Sequence, residues 1–150
     1  MKPILILLLL FPTMSNADSF ELLCKGEETK YLDGDPSSKE VTTKVIGIQL
    51  FKESMRLDGE WFDNKSDLTE DYLLERSYVK SKDDITAARN FSTNALIEGR
   101  EIQTIKIDNV EINILENDIF WTHEFNRVDK TNTEAKTIYA FRKSFKGACK

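Results

Sequence analysis

Apolar and polar positions alternate along the C-terminal part of the chain, residues 119–149. The apolar face of its first half consists of Ile119, Trp121, His123 and Phe125. A period of two residues is typical of a half-buried β-strand. A polar run over residues 129–134 then predicts a turn. The apolar face of the returning half consists of Tyr139, Phe141, Phe145 and Cys149, with Lys143 as its single break. The pattern predicts a β-hairpin that closes a larger sheet.

Shorter segments of the same kind fill the rest of the chain. Strands are predicted over residues 19–31, 41–51, 55–61, 85–91, 102–107 and 110–114. Residues 92–99 are expected to form a loop or a short irregular segment, and Asp108-Asn109 a tight turn. The apolar phase shifts near Gly47, which suggests a bulge or bend. Residues 67–80 are compatible with a strand or a helix, and recurring aromatic and β-branched residues favour the strand.

Seven to nine short strands with polar turns predict an all-β fold, a single antiparallel barrel or sandwich. A closed or nearly closed barrel is favoured over a sandwich, because pairing the first strand with the last would remove the exposed edges that promote aggregation.

The N-terminus predicts export. Met1-Lys2 is followed by an apolar run, Ile4 to Phe11, and by the small residues of Ser15-Asn16-Ala17. This order is typical of a signal peptide, residues 1–17, cleaved before Asp18. An uncleaved anchor is the alternative, but the run is far shorter than the ~20 residues that span a bilayer. We therefore expect a single β domain over residues 18–150, periplasmic or secreted, with no membrane insertion after cleavage.

Two cysteines, Cys24 and Cys149, lie near the two ends of the predicted mature chain. An exported protein with an even count is expected to pair them. Cys24 shares a face with Phe20 and Leu22, and Cys149 lies on the apolar face of the last strand. The sequence therefore predicts a disulfide that joins the first and last strands.

Charge narrows the choice of partners. The predicted mature chain has 20 basic against 26 acidic residues. An acidic balance argues against nucleic acid, whose backbone selects Lys and Arg patches. It would suit a cationic partner, although mild acidity is also an ordinary property of a soluble surface.

Candidate chemistry is sparse. His123 is the only histidine, and a lone histidine on an apolar face is usually a satisfied core or rim residue, since a catalytic base needs an orienting partner. Residues 33–38 match the opening of a calcium loop without its closing Glu, so a plain turn is favoured. We expect no metal, no cofactor and no enzymatic activity. A hydrolase that uses two carboxylates is the least favoured alternative.

Cys24-Lys25-Gly26, residues 125–129 and Gly147-Ala148-Cys149 form a pattern at the two ends of the chain. It resembles small exported bacterial proteins of unknown function, which show Cys-x-Gly, an Asn-Arg-hydrophobic-Thr-Gly turn and a terminal Gly-x-Cys. Here residues 128–130 are Val-Asp-Lys, so the Thr-Gly part of the motif is replaced. More loosely, a small secreted barrel with terminal cysteines is similar to membrane-bound C-type lysozyme inhibitors, whose Ser-Gly-Ala segment this chain lacks, and to lipocalin-like carriers. These resemblances assign no functional residue.

Three functions are compatible with these features. The first is a non-catalytic binding protein for a small apolar ligand or a protein partner, with Trp61, Trp121 and Tyr139 as candidate contacts. The simpler interpretation of these aromatic residues is that they fill the core. The second is an inhibitor of a cationic hydrolase such as lysozyme, acting through acidic surface and the loop at residues 33–38. The third is the carboxylate hydrolase.

Overall fold

The computed structural model describes residues 19–32 and 35–150. They form one short 3-10 helix, Pro36–Ser38, and ten strands, with no α-helix among them. The strands are β1 (Phe20–Leu32), β2 (Glu40–Leu50), β3 (Met55–Leu57), β4 (Glu60–Phe62), β5 (Ser66–Leu68), β6 (Tyr72–Lys80), β7 (Asp84–Ile97), β8 (Arg100–Asn113), β9 (Asp118–Asp129) and β10 (Lys136–Cys149). The all-β prediction is confirmed. The predicted signal peptide, residues 1–17, lies outside the described residues.

The predicted count of seven to nine strands is wrong. A turn divides the strand expected over residues 55–61 into β3 and β4. The turn residues Asp58 and Gly59 both have positive φ angles, 50° and 84°, as a two-residue hairpin turn of type I′ requires. Residues 67–80 are strand rather than helix, and they contribute to both β5 and β6.

Strands β7 and β8 form one long hairpin where the sequence predicted a loop and a second turn. Residues 84–97 pair with residues 100–113 without interruption, and the chain turns at Glu98-Gly99, both with positive φ. The predicted loop at 92–99 and the predicted turn at Asp108-Asn109 are therefore wrong. Both rested on polar residue types, and continuous pairing with a neighbouring strand outweighs such local preferences.

The bulge predicted near Gly47 is also wrong, because β2 pairs with β1 without a break in register. The apparent shift in phase has another cause. Val41 and Val45 are exposed on the outer face, whereas Ile46, Ile48 and Leu50 point into the core.

All ten strands belong to one antiparallel sheet in the order β4-β3-β2-β1-β10-β9-β8-β7-β6-β5. The first and last long strands are neighbours. Cys24 lies directly opposite Cys149, and the two form a disulfide, as predicted. This pairing brings the N- and C-terminal strands together in the middle of the sheet.

The sheet curls into a half-barrel. Its two edge strands, β4 and β5, follow each other in the chain, separated only by residues 63–65. Asn64 anchors this link to β6, since its amide donates to the carbonyl of Tyr78 (3.0 Å) and accepts from the Tyr78 backbone N–H (2.9 Å). The two edges of the sheet are thereby held together at one end.

The hydrophobic core occupies the concave side near the disulfide. Its completely buried large side chains include Phe62, Phe145, Ile48, Met55 and Leu57. Burial of each such side chain contributes about 1.5–3 kcal/mol. Side chains alternate between the two faces of a strand. Every other residue therefore also points to the concave face in the halves of the strands that lie far from the disulfide.

Candidate functional site: the concave face of the half-barrel

A row of mostly apolar side chains crosses the concave face far from the disulfide. Its members lie opposite one another on six adjacent strands: Leu74 (β6), Phe91 (β7), Lys106 (β8), Phe125 (β9), Phe141 (β10) and Leu32 (β1). We call this set the aromatic row. Its only charged member is Lys106.

Two rings of the aromatic row contact each other, and a tyrosine lies beside the row at each end. Phe125 and Phe141 are stacked with their centroids 5.4 Å apart. Tyr139 extends the group, 5.9 Å from Phe125 and 6.0 Å from Phe141. At the other end, Tyr72 meets the ring of Phe91 edge-on at 5.5 Å. The three phenylalanines are half-buried and Tyr139 is exposed, so the row offers aromatic surface to solvent.

A second row lies two residues closer to the disulfide on each strand, and every member is ionisable. It consists of Arg76 (β6), Arg89 (β7), Asp108 (β8), His123 (β9), Lys143 (β10) and Lys30 (β1). We call this set the charged row. It separates the aromatic row from the apolar core. A molecule bound on the aromatic row would therefore have charged side chains between it and the core.

Asp108 is the centre of the charged row, with its side chain 3% exposed. Its Oδ1 accepts a hydrogen bond from Trp121 Nε1 (3.2 Å) and lies 2.7 Å from Nδ1 of His123, which donates to the carboxylate. Its Oδ2 lies 3.6 Å from Arg89 Nη1. A buried carboxylate is tolerated when donors and cations lie beside it. Two donors and one cation engage Asp108, while its Oδ2 accepts no hydrogen bond from the described residues.

The hairpin of β3 and β4 connects the charged row across the concave face. Glu60 lies 3.0 Å from Arg89 of β7, and Asp58 lies 3.6 Å from Lys143 of β10. The ammonium of Lys143 also lies 4.3 Å from the ring centroid of Trp121. Asp58 and Glu60 thus attach one short hairpin to two different walls of the half-barrel, above the core.

His123 has the orienting partner that its isolation in the sequence did not reveal. It is half-buried, bonded to Asp108, and its ring centroid lies 5.6 Å from that of Phe141. Among the described residues, no serine, threonine or cysteine side chain hydrogen-bonds to the imidazole. The arrangement matches a satisfied histidine at the rim of the core.

Glu28 is the second buried carboxylate, 2% exposed, and lies opposite Phe145. Lys30 and Lys44 reach it at 3.0 and 3.3 Å. Burial alone would raise the pKa of Glu28, but the hydrogen bonds and positive charges of the two lysines outweigh burial and lower that pKa. The same contact raises the pKa of Lys30. Glu28 is therefore a charged, paired group in the folded protein.

A cavity of about 340 Å³ opens where the aromatic row reaches β1. It is lined by Lys30, Tyr31, Leu32, Ser38, Glu40, Tyr139, Phe141 and Lys143. Its volume falls within the range of small-molecule sites, roughly 300–1,000 Å³. The cavity and the aromatic row share Phe141 and Leu32, so they form one continuous surface.

The three aromatic contacts predicted from the sequence do not meet in one site. Tyr139 lies beside the aromatic row and lines the cavity. Trp121 is 4% exposed and belongs to the core, as the simpler interpretation expected. Trp61 lies on the outer face, 42% exposed, where its ring packs against Phe51. Phe91, Phe125 and Phe141 were not predicted as contacts, although Phe125 and Phe141 lay on correctly predicted faces.

The loop proposed for hydrolase inhibition is described in part, since Asp33 and Gly34 lie outside the described residues. Asp35 caps the 3-10 helix by accepting from the Ser37 backbone N–H at 3.0 Å, and Ser38 Oγ accepts from the Leu32 backbone N–H at 2.7 Å. Its polar residues thus serve the turn itself. No group of three or more potential metal ligands occurs among residues 19–32 and 35–150.

Comparison with protein-family models, with curated proteins and with solved structures gave no match. Within the described part of the chain, no helix is long and apolar enough to cross a membrane. The concave face itself is therefore the basis for a functional assignment.

Proposed function

We propose that this protein is an exported, non-catalytic binding protein that holds a small apolar ligand on the concave face of its half-barrel. The observation that carries the proposal is the aromatic row, which is open to solvent and continuous with the cavity. Exposed contiguous apolar surface of this kind marks interaction sites. Aromatic rings on a concave surface favour a small ligand, because they can contact it from more than one side.

The intramolecular disulfide supports export, since such bonds form and persist in oxidising compartments. The charged row supports binding at the surface rather than deep in the barrel. A ligand that went further would have to displace paired charges such as Arg89 and Asp108, and the loss of such pairing is costly.

Binding of the neutral fluorescent probe N-phenyl-1-naphthylamine tests the proposal. The Phe125→Ala variant should weaken probe binding about tenfold or more, because a buried phenylalanine ring contributes ~1.5–3 kcal/mol. Tyr139→Ala should also weaken binding, and it removes a side chain that is 47% exposed, so folding should be unaffected. Titration of fluorescence against protein concentration gives the dissociation constants.

Phe120→Ala is the matched control, since Phe120 lies on the same strand but on the outer face and is 45% exposed. It should leave the dissociation constant unchanged. Absence of probe binding, or equal losses in Phe120→Ala and Phe125→Ala, would contradict the proposal. Melting temperatures of all three variants separate a lost contact from lost folding.

Inhibition of a cationic hydrolase stays a prediction from net charge and the loop at residues 33–38. Hydrolysis by two carboxylates also stays a prediction. The two buried carboxylates, Asp108 and Glu28, are engaged by cations and hydrogen-bond donors, so the described residues offer no feature that favours either function over ligand binding.

A further inference from the structure

Lys106 differs from the cations of the charged row in its surroundings. Each cation of the charged row has a carboxylate within 4 Å: Arg76 has Asp63, Arg89 has Glu60, Lys143 has Asp58 and Lys30 has Glu28. Lys106 has none among the described residues. Its ammonium instead lies 5.4 Å from the ring centroid of Phe91, and it is half-buried between Phe91 and Phe125 in the register.

Arg127 is a second cation of the same kind on the concave face. It lies two residues beyond Phe125 on β9, opposite Tyr139, and its guanidinium is 6.0 Å from the Phe125 ring centroid. Within the described residues no carboxylate lies within 4 Å of it. A structural role in binding a turn or a carboxylate would be the ordinary expectation for this arginine, but the structure shows only the ring contact and an exposed side chain.

The two cations are neighbours on the concave face. Lys106 lies opposite Phe125, so Lys106 and Arg127 are diagonal neighbours, which in a sheet are about 7–8 Å apart and within reach of long side chains. The guanidinium of Arg127 lies against the ring of Phe125, and the ammonium of Lys106 lies against the ring of Phe91, so an anion between them is within reach of both long side chains. An ammonium in an apolar row without a counter-ion costs free energy, and a bound anion would remove that cost by forming charge-assisted hydrogen bonds.

We propose that the ligand is an amphiphile with a single carboxylate head and an apolar tail, the head held by Lys106 and Arg127. The inference rests on the proposed function and specifies the chemical class of the ligand. The tail lies along Phe125, Phe141 and Leu32 and ends in the cavity beside β1. Three strand spacings of ~4.8 Å separate Lys106 from Leu32 along the sheet, about 14 Å in total, which suits a tail of medium length.

Isothermal titration calorimetry with three probes of equal tail length tests this assignment: decanoate, decanol and decyltrimethylammonium, each below its micellar concentration. Decanoate should bind about tenfold more tightly than decanol, since tenfold corresponds to ~1.4 kcal/mol and one charge-assisted hydrogen bond supplies that much. Decyltrimethylammonium should bind more weakly than decanol, because Lys106 and Arg127 repel its head.

The Lys106→Met variant should abolish the preference for decanoate and leave decanol binding within twofold. Methionine keeps the row apolar, so the variant should remain folded. Arg127→Gln, at an exposed position, should reduce the preference in part. Lys25→Met is the matched control, because Lys25 is an exposed lysine on the outer face of β1 and should change no affinity.

The outcomes distinguish this inference from the proposed function. Equal binding of decanoate and decanol, both weakened by Phe125→Ala, would overturn the carboxylate assignment and leave apolar binding intact. If decyltrimethylammonium bound as tightly as decanol, or more tightly, the carboxylate assignment would likewise be overturned. If none of the three probes bound, both the assignment and the proposed function would be wrong.

Discussion

Replacing Asp108 by alanine should destabilise the protein more than any substitution of a surface carboxylate. The change removes the carboxylate that accepts hydrogen bonds from Trp121 Nε1 and His123 Nδ1. It also removes one of the two carboxylates beside Arg89, and leaves only Glu60. Each buried donor left without a partner costs roughly 1–3 kcal/mol. Breaking a buried ion pair from one side costs about 3–5 kcal/mol, and we expect a loss of that size.

Asp108→Asn separates charge from hydrogen bonding. Asparagine keeps an oxygen that can accept from Trp121 and His123, so its cost should be smaller, about 1–3 kcal/mol for the lost charge. Urea unfolding followed by far-UV circular dichroism measures both variants, and this signal avoids the fluorescence of Trp121, whose environment the substitutions change. The slope of the unfolding transition should stay constant.

Glu124→Gln is the control. Glu124 pairs with Arg142 at 3.4 Å, with side chains that are 35% and 46% exposed, and solvent-accessible pairs contribute roughly 0–1 kcal/mol. If Asp108→Ala cost no more than Glu124→Gln, the charged row would not be a set of mutually compensating charges. A double-mutant cycle with His123→Ala should then show a coupling near zero instead of the ~0.5–3 kcal/mol expected for directly bonded groups.

Two further predictions concern the core. Cys24→Ser and Cys149→Ser should each lower the free energy of unfolding by about 2–5 kcal/mol, and the double variant should be no worse, because all three lose the same bond; additive losses, or free thiols in non-reducing mass spectrometry, would refute this. Because the pKa of Glu28 is lowered on folding, its ion pairs stabilise the protein above the ordinary value of 4.5, and this contribution is lost as the pH falls through the lowered pKa. Acid titration of stability should therefore be shallower in Glu28→Gln, and identical titration curves would contradict the pairing.

Strand faces could be predicted because alternation is a local property. The hairpin of β9 and β10 has the predicted alternating faces, and the polar break in its returning strand, Lys143, faces Asp58 and the ring of Trp121. The disulfide could also be predicted, since two cysteines on core-facing positions of a chain that is expected to be exported leave a single intramolecular pairing.

The candidate site could be predicted only in part. The sequence placed Phe125, Phe141 and Tyr139 on apolar faces, but it did not show which residues of other strands lie beside them. Asp108 illustrates the difficulty. Next to Asn109 it has the composition of a turn, yet it lies in mid-strand with partners 13 to 19 residues away in the chain.

The sequence by itself determined the strand-rich fold, the two faces of the last hairpin and the cysteine pair, because each depends on residue type and a period of two. Only the tertiary structure decided the rows. Register between strands comes from long-range pairing, and a shift of one residue would turn every side chain of a strand to the opposite face. That register places Lys106 between Phe91 and Phe125, and it brings the residues of the charged row next to their partners.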